Sequence, residues 1–252
     1  MSRRQRLDAD MVRRRLVLSR AEAGRAIETG LVLVNGSIAD KPARLVDPAD
    51  AVVLQAPPSR YVSRGGEKLD AALQSFGIDV AGWRVLDAGA STGGFTDCLL
   101  QRKAAHVVAV DVGHGQLHPK IRNDSRVTVL ERFHVRDLSV AAIGGEVDFA
   151  VADLSFISVI RALPPLIAVC RPQAPLVLLV KPQFEAGKAE VDRGSGVIRD
   201  PAVHQRVCDE VSVALAARGC EVLGWIDSPI TGAQGNREFL VHARLGRSGS
   251  AS

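Results

Sequence analysis

The sequence predicts an α/β fold, a doubly wound and mostly parallel sheet preceded by a small α+β module, and three observations carry that prediction. Apolar strand-like runs alternate with helix-period segments from about residue 60 onward. A proline-rich break, Ala56-Pro57-Pro58-Ser59, separates that region from an arginine-rich start. Four of the apolar runs end in a charged residue, on the edge where open parallel sheets bind their ligands.

Taken in order, Leu7, Met11 and Leu16 predict a first short helix, and Ser19 is placed to cap a second from Arg20 to Glu28, closed by Gly30. Leu31-Val32-Leu33-Val34, the turn residues Asn35-Gly36 and Ile38 give a hairpin. These pieces make an α+β module over residues 1–58. Leu69, Leu73 and Phe76 then recur at helical spacing ahead of the first strand of the sheet. Seven strand runs follow: Arg84-Val85-Leu86, Val107 to Val110, Val127 to Leu130, Val147 to Ala152, Leu176 to Val180, Val222 to Trp225 and Phe239 to Ala243. Residues 59–252 therefore form one seven-stranded domain. The stretch from Gln183 to Asp200 is polar and long for a connection, which predicts a mobile loop beside the site.

Composition narrows the classes. With 252 residues, 46% hydrophobic and 24% charged, the chain is globular, and disordered, collagen-like and coiled-coil architectures are excluded. Its longest run free of Asp, Glu, Lys and Arg, Thr29 to Ala39, is about half of the roughly 20 residues that a membrane helix needs. Residues 1–25 never reach an apolar signal core, so a cytoplasmic protein is expected. Cys98, Cys170, Cys208 and Cys220 show no C-x-x-C pairing and are expected to be structural thiols in a reducing compartment. No metal is expected: only His114 and His118 have a ligand-like spacing, and Gly113, Gly115 and Pro119 work against the helix that would join them.

Charge is placed unevenly. The net excess of +4 lies within the first 60 residues, and eight arginines stand against three acids in residues 1–25. That field suits phosphates, and Arg3, Arg4, Arg6, Arg13, Arg14 and Arg20 are the candidate nucleic-acid contacts, although a solvated arginine-rich helix face would look the same.

Asp87, Asp111, Asp153 and Lys181 stand at the carboxyl ends of four strand runs. After the first run, Asp87-Ala88-Gly89-Ala90-Ser91-Thr92-Gly93-Gly94-Phe95 is a small-residue loop opening a helix, where backbone can approach a ligand closely. Asp111 follows Gly89 by 22 residues, the offset at which an acid meets a nucleoside ribose. The pair predicts a nucleoside cofactor and leaves NAD and S-adenosylmethionine open. Gly89-Ala90-Ser91-Thr92-Gly93 also satisfies the G-x-S-x-G elbow of hydrolases, with Asp153 and His204 in triad order. That reading explains neither Asp111 nor the lysines.

Five segments stand in a telling order: Ser63 to Leu69 (SRGGEKL), Leu86 to Phe95 (LDAGASTGGF), Ala152 to Phe156 (ADLSF), Val180 to Glu185 (VKPQFE) and Gly235 to Glu238 (GNRE). Together they resemble the TlyA family, ribosomal RNA cytidine 2'-O-methyltransferases often filed as haemolysin A. The first 55 residues look like the alpha-L RNA-binding domain of ribosomal protein S-four, and the rest resembles FtsJ-type Rossmann-like methyltransferases. The resemblance implies a catalytic tetrad of Lys68, Asp153, Lys181 and Glu238, with Lys181 as the base that takes the 2'-hydroxyl proton. It implies S-adenosylmethionine as cofactor, held by Asp87, Gly89, Ser91, Gly93, Gly94, Phe95, Asp111 and Val112, with Asp137 near the adenine. Its partner would be ribosomal RNA within ribosomal subunits. Longer members carry a further helix where this chain runs only a few residues past Leu245, which leaves open whether one or both subunit RNAs are modified. Two rivals stand beside this expectation: a non-catalytic RNA-binding assembly factor, which a complete tetrad disfavours, and a membrane-active haemolysin, which lacks a membrane-length segment.

Overall fold

The computed structural model describes residues 4–246 except 18, 56–59, 188, 189, 192, 193, 195 and 233. The proline-rich break and Arg3 lie outside the described residues. The chain divides into two compact units, Met1–Ser59 and Arg60–Ser252.

In the first unit β1 (Gln5–Arg6) leads into α1 (Leu7–Arg13), followed by α2 (Arg20–Glu28), β2 (Val32–Val34), β3 (Ser37–Ile38), β4 (Leu45–Val46) and β5 (Val52–Leu54). Ser19 caps α2 by accepting the Glu22 N–H at 3.2 Å. Asn35 (φ 51°) and Gly36 (φ 81°) take the paired positive φ of a type I′ turn, whose twist suits the β2–β3 hairpin. One expectation is corrected: α1 stops at Arg13, because the chain turns at Arg15 into left-handed backbone (φ 60°), and Leu16 packs on the core from beyond the helix. Leu7, Met11, Ile27 and Val32 fill that core.

The second unit opens with α3 (Gly65–Phe76). It then alternates β6 (Arg84–Ala88), α4 (Gly94–Gln101), β7 (His106–Asp111), α5 (Pro119–Arg122), β8 (Val127–Glu131), α6 (Val140–Ile143), β9 (Phe149–Ala152), α7 (Val159–Ala168), β10 (Pro175–Val180), α8 (Pro182–Glu185) and α9 (Pro201–Ala216). The hairpin strands β11 (Cys220–Asp227) and β12 (Phe239–Leu245) follow. They build one seven-stranded sheet in the order β11-β12-β10-β9-β6-β7-β8. All strands are parallel except β12, which runs antiparallel to both β10 and β11. The reason is in the connection, since no helix separates β11 from β12 and a short return reverses direction.

Both faces of the sheet's centre are covered, so the central strands β9 and β10 are apolar throughout, while the edge strands β8 and β11 carry polar residues. On β10, Leu176, Leu178 and Val180 face a core shared with Val207, Val211 and Leu215 of α9, while Val177 and Leu179 face one shared with Leu69 and Leu73 of α3 and Leu99 of α4. The run Val147 to Ala152 is corrected to Phe149–Ala152, with Val147 making an isolated bridge to Cys170. All four cysteines are free thiols, and burial pushes Cys98 up to about 12.

Two topological facts place the site. From β6 the chain moves outward through β7 and β8, then returns to β9 on the other side of β6, so the order reverses between β6 and β9. That reversal opens a crevice beyond their carboxyl ends. Because β12 is antiparallel, its start lies on that same edge, with Phe239 opposite Val180, and Glu238 arrives beside Lys181.

Candidate active site

The loop after β6 exists in this form because Gly89 has no side chain. A Cβ there would fall 2.3 Å from the Asp153 carbonyl oxygen of the neighbouring β9 end, and the residue sits at φ 87°. Asp111, at the end of β7, fixes the loop from the other side: one carboxylate oxygen accepts the Ser91 N–H at 2.8 Å and the other the Gly113 N–H at 2.6 Å. Beneath the loop Asp87 is wholly buried, with Thr96 Oγ1 donating to Oδ2 at 2.6 Å and no partner on Oδ1. Burial, reinforced by the charges of Asp153 and Asp111, pushes its carboxyl up to about 7.

Two cavities open on the edge. The first, about 580 Å³, is lined by Lys68, Asp153, Lys181 and Glu238 together with Gly94 and Phe95. The second, about 1170 Å³, is lined by Asp111, Val112, Phe133 and Arg136 among others. Gly89, Ser91, Asp153 and Ser155 belong to both walls, so the two spaces adjoin.

In the first cavity Lys68 Nζ lies 2.5 Å from Glu238 Oε2, and Lys181 Nζ lies 2.5 Å from Asp153 Oδ1 and 3.0 Å from Ser155 Oγ. Both lysines are only 8% exposed, which sets these pairs apart from the solvated ion pairs of the surface. Burying two ammonium groups and the Glu238 carboxylate, with Asp153 partly exposed, costs desolvation free energy that a folding role alone does not need to incur. Such an arrangement is the kind a reaction uses.

The remaining expected residues are placed as follows. Asp87 and Gly93 lie under the loop and line neither cavity; Gly93 packs against Leu117 and Ile121. Asp137 is exposed in the short helical turn after β8 and also lines neither. In the first unit, two buried aspartates organise the arginines. Asp8 accepts Arg6 and Arg20, at 2.9 Å and 2.8 Å, and those bonds hold it well below the usual carboxylate range. Burial pushes Asp10 up, but Arg13 at 2.6 Å and Arg14 at 2.5 Å outweigh it. Arg6, Arg13 and Arg20 keep about half their side chains in solvent, whereas Arg14 is 23% exposed and donates to the carbonyls of Asp50 and Pro48, a structural tie. Arg4 is exposed.

The hydrolase geometry is not formed: Ser91 Oγ meets Gln116 at 3.4 Å, and the His204 ring faces the Ile198 carbonyl at 3.1 Å. His114 pairs with Glu131, and the His118 ring caps α5 through Lys120 N–H; among the described residues no cluster of three or more metal-ligating side chains forms.

Among the residues of the cavity walls that sequence reasoning missed, four share one signal. Phe156 is 93% exposed at φ 65° and stands over both cavities, with its ring 5.5 Å from that of Phe184, which lies near Lys181. Ser155 and Gln183 line both as well. The signal was their position, two or three residues past Asp153 and Lys181, just beyond the strand ends. From the long connection, Val191 and Gly196 reach the first cavity, and Asn236, 1% exposed, ties that segment down by accepting the Ile198 N–H and donating to the Gly196 carbonyl, both at 2.9 Å.

Comparison with known proteins agrees with this geometry. The FtsJ-like methyltransferase family matches residues 61–245, and the S4 domain matches residues 5–52. A Mycobacterium tuberculosis protein named 16S/23S rRNA (cytidine-2'-O)-methyltransferase TlyA is 50% identical over 97% of this chain and 91% of its own length. A Campylobacter jejuni protein named 23S rRNA (cytidine-2'-O)-methyltransferase TlyA is 30% identical over 92% of this chain and 96% of its own. A solved structure from Streptococcus thermophilus, 39% identical, superimposes with a TM-score of 0.74 over 98% of this chain and 90% of that one.

Proposed function

The chain belongs to the TlyA family of ribosomal RNA (cytidine-2'-O)-methyltransferases, and from that membership we propose that it methylates the ribose 2'-hydroxyl of a cytidine in ribosomal RNA within ribosomal subunits, in the cytoplasm. Residues 1–58 dock the RNA and residues 59–252 carry the chemistry. The observation that supports this reading best is the pair of buried lysines, each held by its own carboxylate, in a cavity that shares a wall with the crevice at the sheet's reversal point. Among the described residues no helix is long and apolar enough to cross a membrane.

The residues present fit S-adenosylmethionine. Gly89, which packs on the Asp153 carbonyl, lines both cavities, Asp111 retains a second lone pair on each oxygen for ribose hydroxyls, and the second cavity has room for a nucleoside. When bound, the cofactor supplies a methyl group on a sulfonium, open to direct displacement. The chain's own work is then to hold the hydroxyl in line and remove its proton. Lys181, fixed by Asp153 and Ser155, takes that proton as the neutral amine, so its ammonium form must first release a proton to solvent. Lys68 and Glu238 hold the opposite wall, and the Phe156 ring offers the base a stacking surface. Of the six candidate arginines, Arg6, Arg13 and Arg20 have guanidinium groups both fixed and open, suited to phosphate contact.

Single-turnover methylation of ribosomal subunits tests the roles. Lys181→Ala should lower the rate at least ~100-fold while cofactor and RNA affinities change little, the signature of an interaction made in the transition state. Lys181→Arg should be nearly as slow, because a guanidinium keeps the charge but does not give up its proton. A fast Lys181→Arg enzyme would show that charge alone suffices there.

A further inference from the structure

Gln183 follows Lys181 and Pro182 at the start of α8 and lines both cavities. Its side-chain Oε1 is buried and has no hydrogen-bond partner. Two other amides of the cavity walls are engaged: Asn236 bonds through both ends, and Gln116 meets Ser91. A buried acceptor without a donor is unfavourable, so Gln183 is built for a donor that arrives with a ligand.

The surroundings say which ligand. Lys181, two residues earlier, faces the ribose in the reading above, and the rings of Phe156 and Phe184 offer the stacking surface beside it. Gln183 lines the same cavity walls as these rings and Lys181, so a base stacked there with its ribose at Lys181 has the Gln183 acceptor within its cavity. Cytosine presents there an exocyclic amino group, a donor, where uracil presents a carbonyl, an acceptor. We propose that Gln183 is a specificity-determining residue that accepts a hydrogen bond from the exocyclic amine of the target cytidine and so selects cytidine over uridine. This rests on the cytidine methyltransferase reading.

The test uses the full-length protein and two ribosomal RNA substrates, one with cytidine and one with uridine at the mapped target. Wild type should prefer cytidine by at least ~10-fold in kcat/KM, and Gln183→Met, which keeps the bulk and removes the acceptor, should bring the ratio close to one. Gln183→Glu, which can only accept, should keep the preference. Cofactor affinity, measured by calorimetry, should stay within about twofold of wild type in both variants and also reports that they fold. An unchanged cytidine-to-uridine ratio in Gln183→Met overturns the proposal, as does a cofactor affinity weakened tenfold with the ratio intact, which would place the amide against the cofactor. A wild-type protein that methylates neither RNA overturns the underlying reading, and this inference with it.

Discussion

Asp87 shows how one buried group links the sheet to the solution. Its carboxyl is fully enclosed, receives a single hydroxyl bond from Thr96, and has Asp153 and Asp111 as charged neighbours, so the folded state favours the protonated form and its pKa rises to about 7. In the unfolded chain the same group ionises near pH 4. Between those values the native state binds a proton that the unfolded state has released, and stability falls as pH rises through the window, by about 4 kcal/mol in all, then levels off. Asp87→Asn removes the titration, so the variant should lose less stability than wild type between pH 4 and 7. Urea unfolding at pH 4.5, 6 and 8 checks this, and parallel pH profiles of the two proteins would show that Asp87 is not the group that titrates. Residues with the same charge can differ as widely in role: Arg14 ties its helix to the carbonyls of the 47–50 turn, while Arg13, one residue earlier, stays half in solvent.

At the scale of elements, what the sequence made legible follows from which interactions are local. The α2 cap at Ser19, the Asn35-Gly36 turn and the apolar cores of the strands depend on neighbours in the chain, and each forms where composition and spacing put it. Strand-end position also singled out Asp87, Asp111, Asp153 and Lys181. What was not legible depends on long-range contact. Nothing near Leu16 foretells the left-handed turn at Arg15, and the pairing of Lys68 with Glu238 joins residues 170 positions apart that only the antiparallel β12 brings together. Burial of Asp87 below the cavity, rather than on its wall, likewise depends on the packing of α4 through Thr96. Gly89 lies between these cases, since its small size was legible but its partner was not. With a Cβ predicted 2.3 Å from the Asp153 carbonyl, Gly89→Ala should displace the loop and cost about 2–4 kcal/mol, with cofactor affinity falling at least ~10-fold. Gly77→Ala is the control, because Gly77 has φ 64° but open space around it and reports backbone strain alone. Equal losses of stability in the two variants, with cofactor affinity intact in Gly89→Ala, would show that close approach to Asp153 is unimportant.

At the scale of the whole molecule, charge and cavities divide along the chain. Each unit has its own apolar core, and the net positive charge of the sequence lies in the first 60 residues. The second unit, with 22 Lys and Arg against 21 Asp and Glu, holds every residue of the two cavities. Affinity for a polyanion should therefore come mainly from the first unit and respond to salt, because each phosphate neutralised releases counterions, about 0.7–0.9 in the slope of log affinity against log salt. Deleting residues 1–59 should leave cofactor affinity within about twofold and lower methylation of ribosomal RNA at least ~100-fold. Within the first unit the two kinds of arginine separate in the same assay. Arg13→Ala should reduce the salt slope by about one contact with little change in stability, while Arg14→Ala should lower the melting temperature, because it leaves Asp10 short of a partner in a buried site. Salt titrations of RNA binding with full-length protein and each variant decide the matter. If the truncated protein methylates RNA at the full rate, or if Arg13→Ala leaves the slope unchanged, then RNA docking is carried by the catalytic unit, and the arginines of the first helices serve only to hold their own module together.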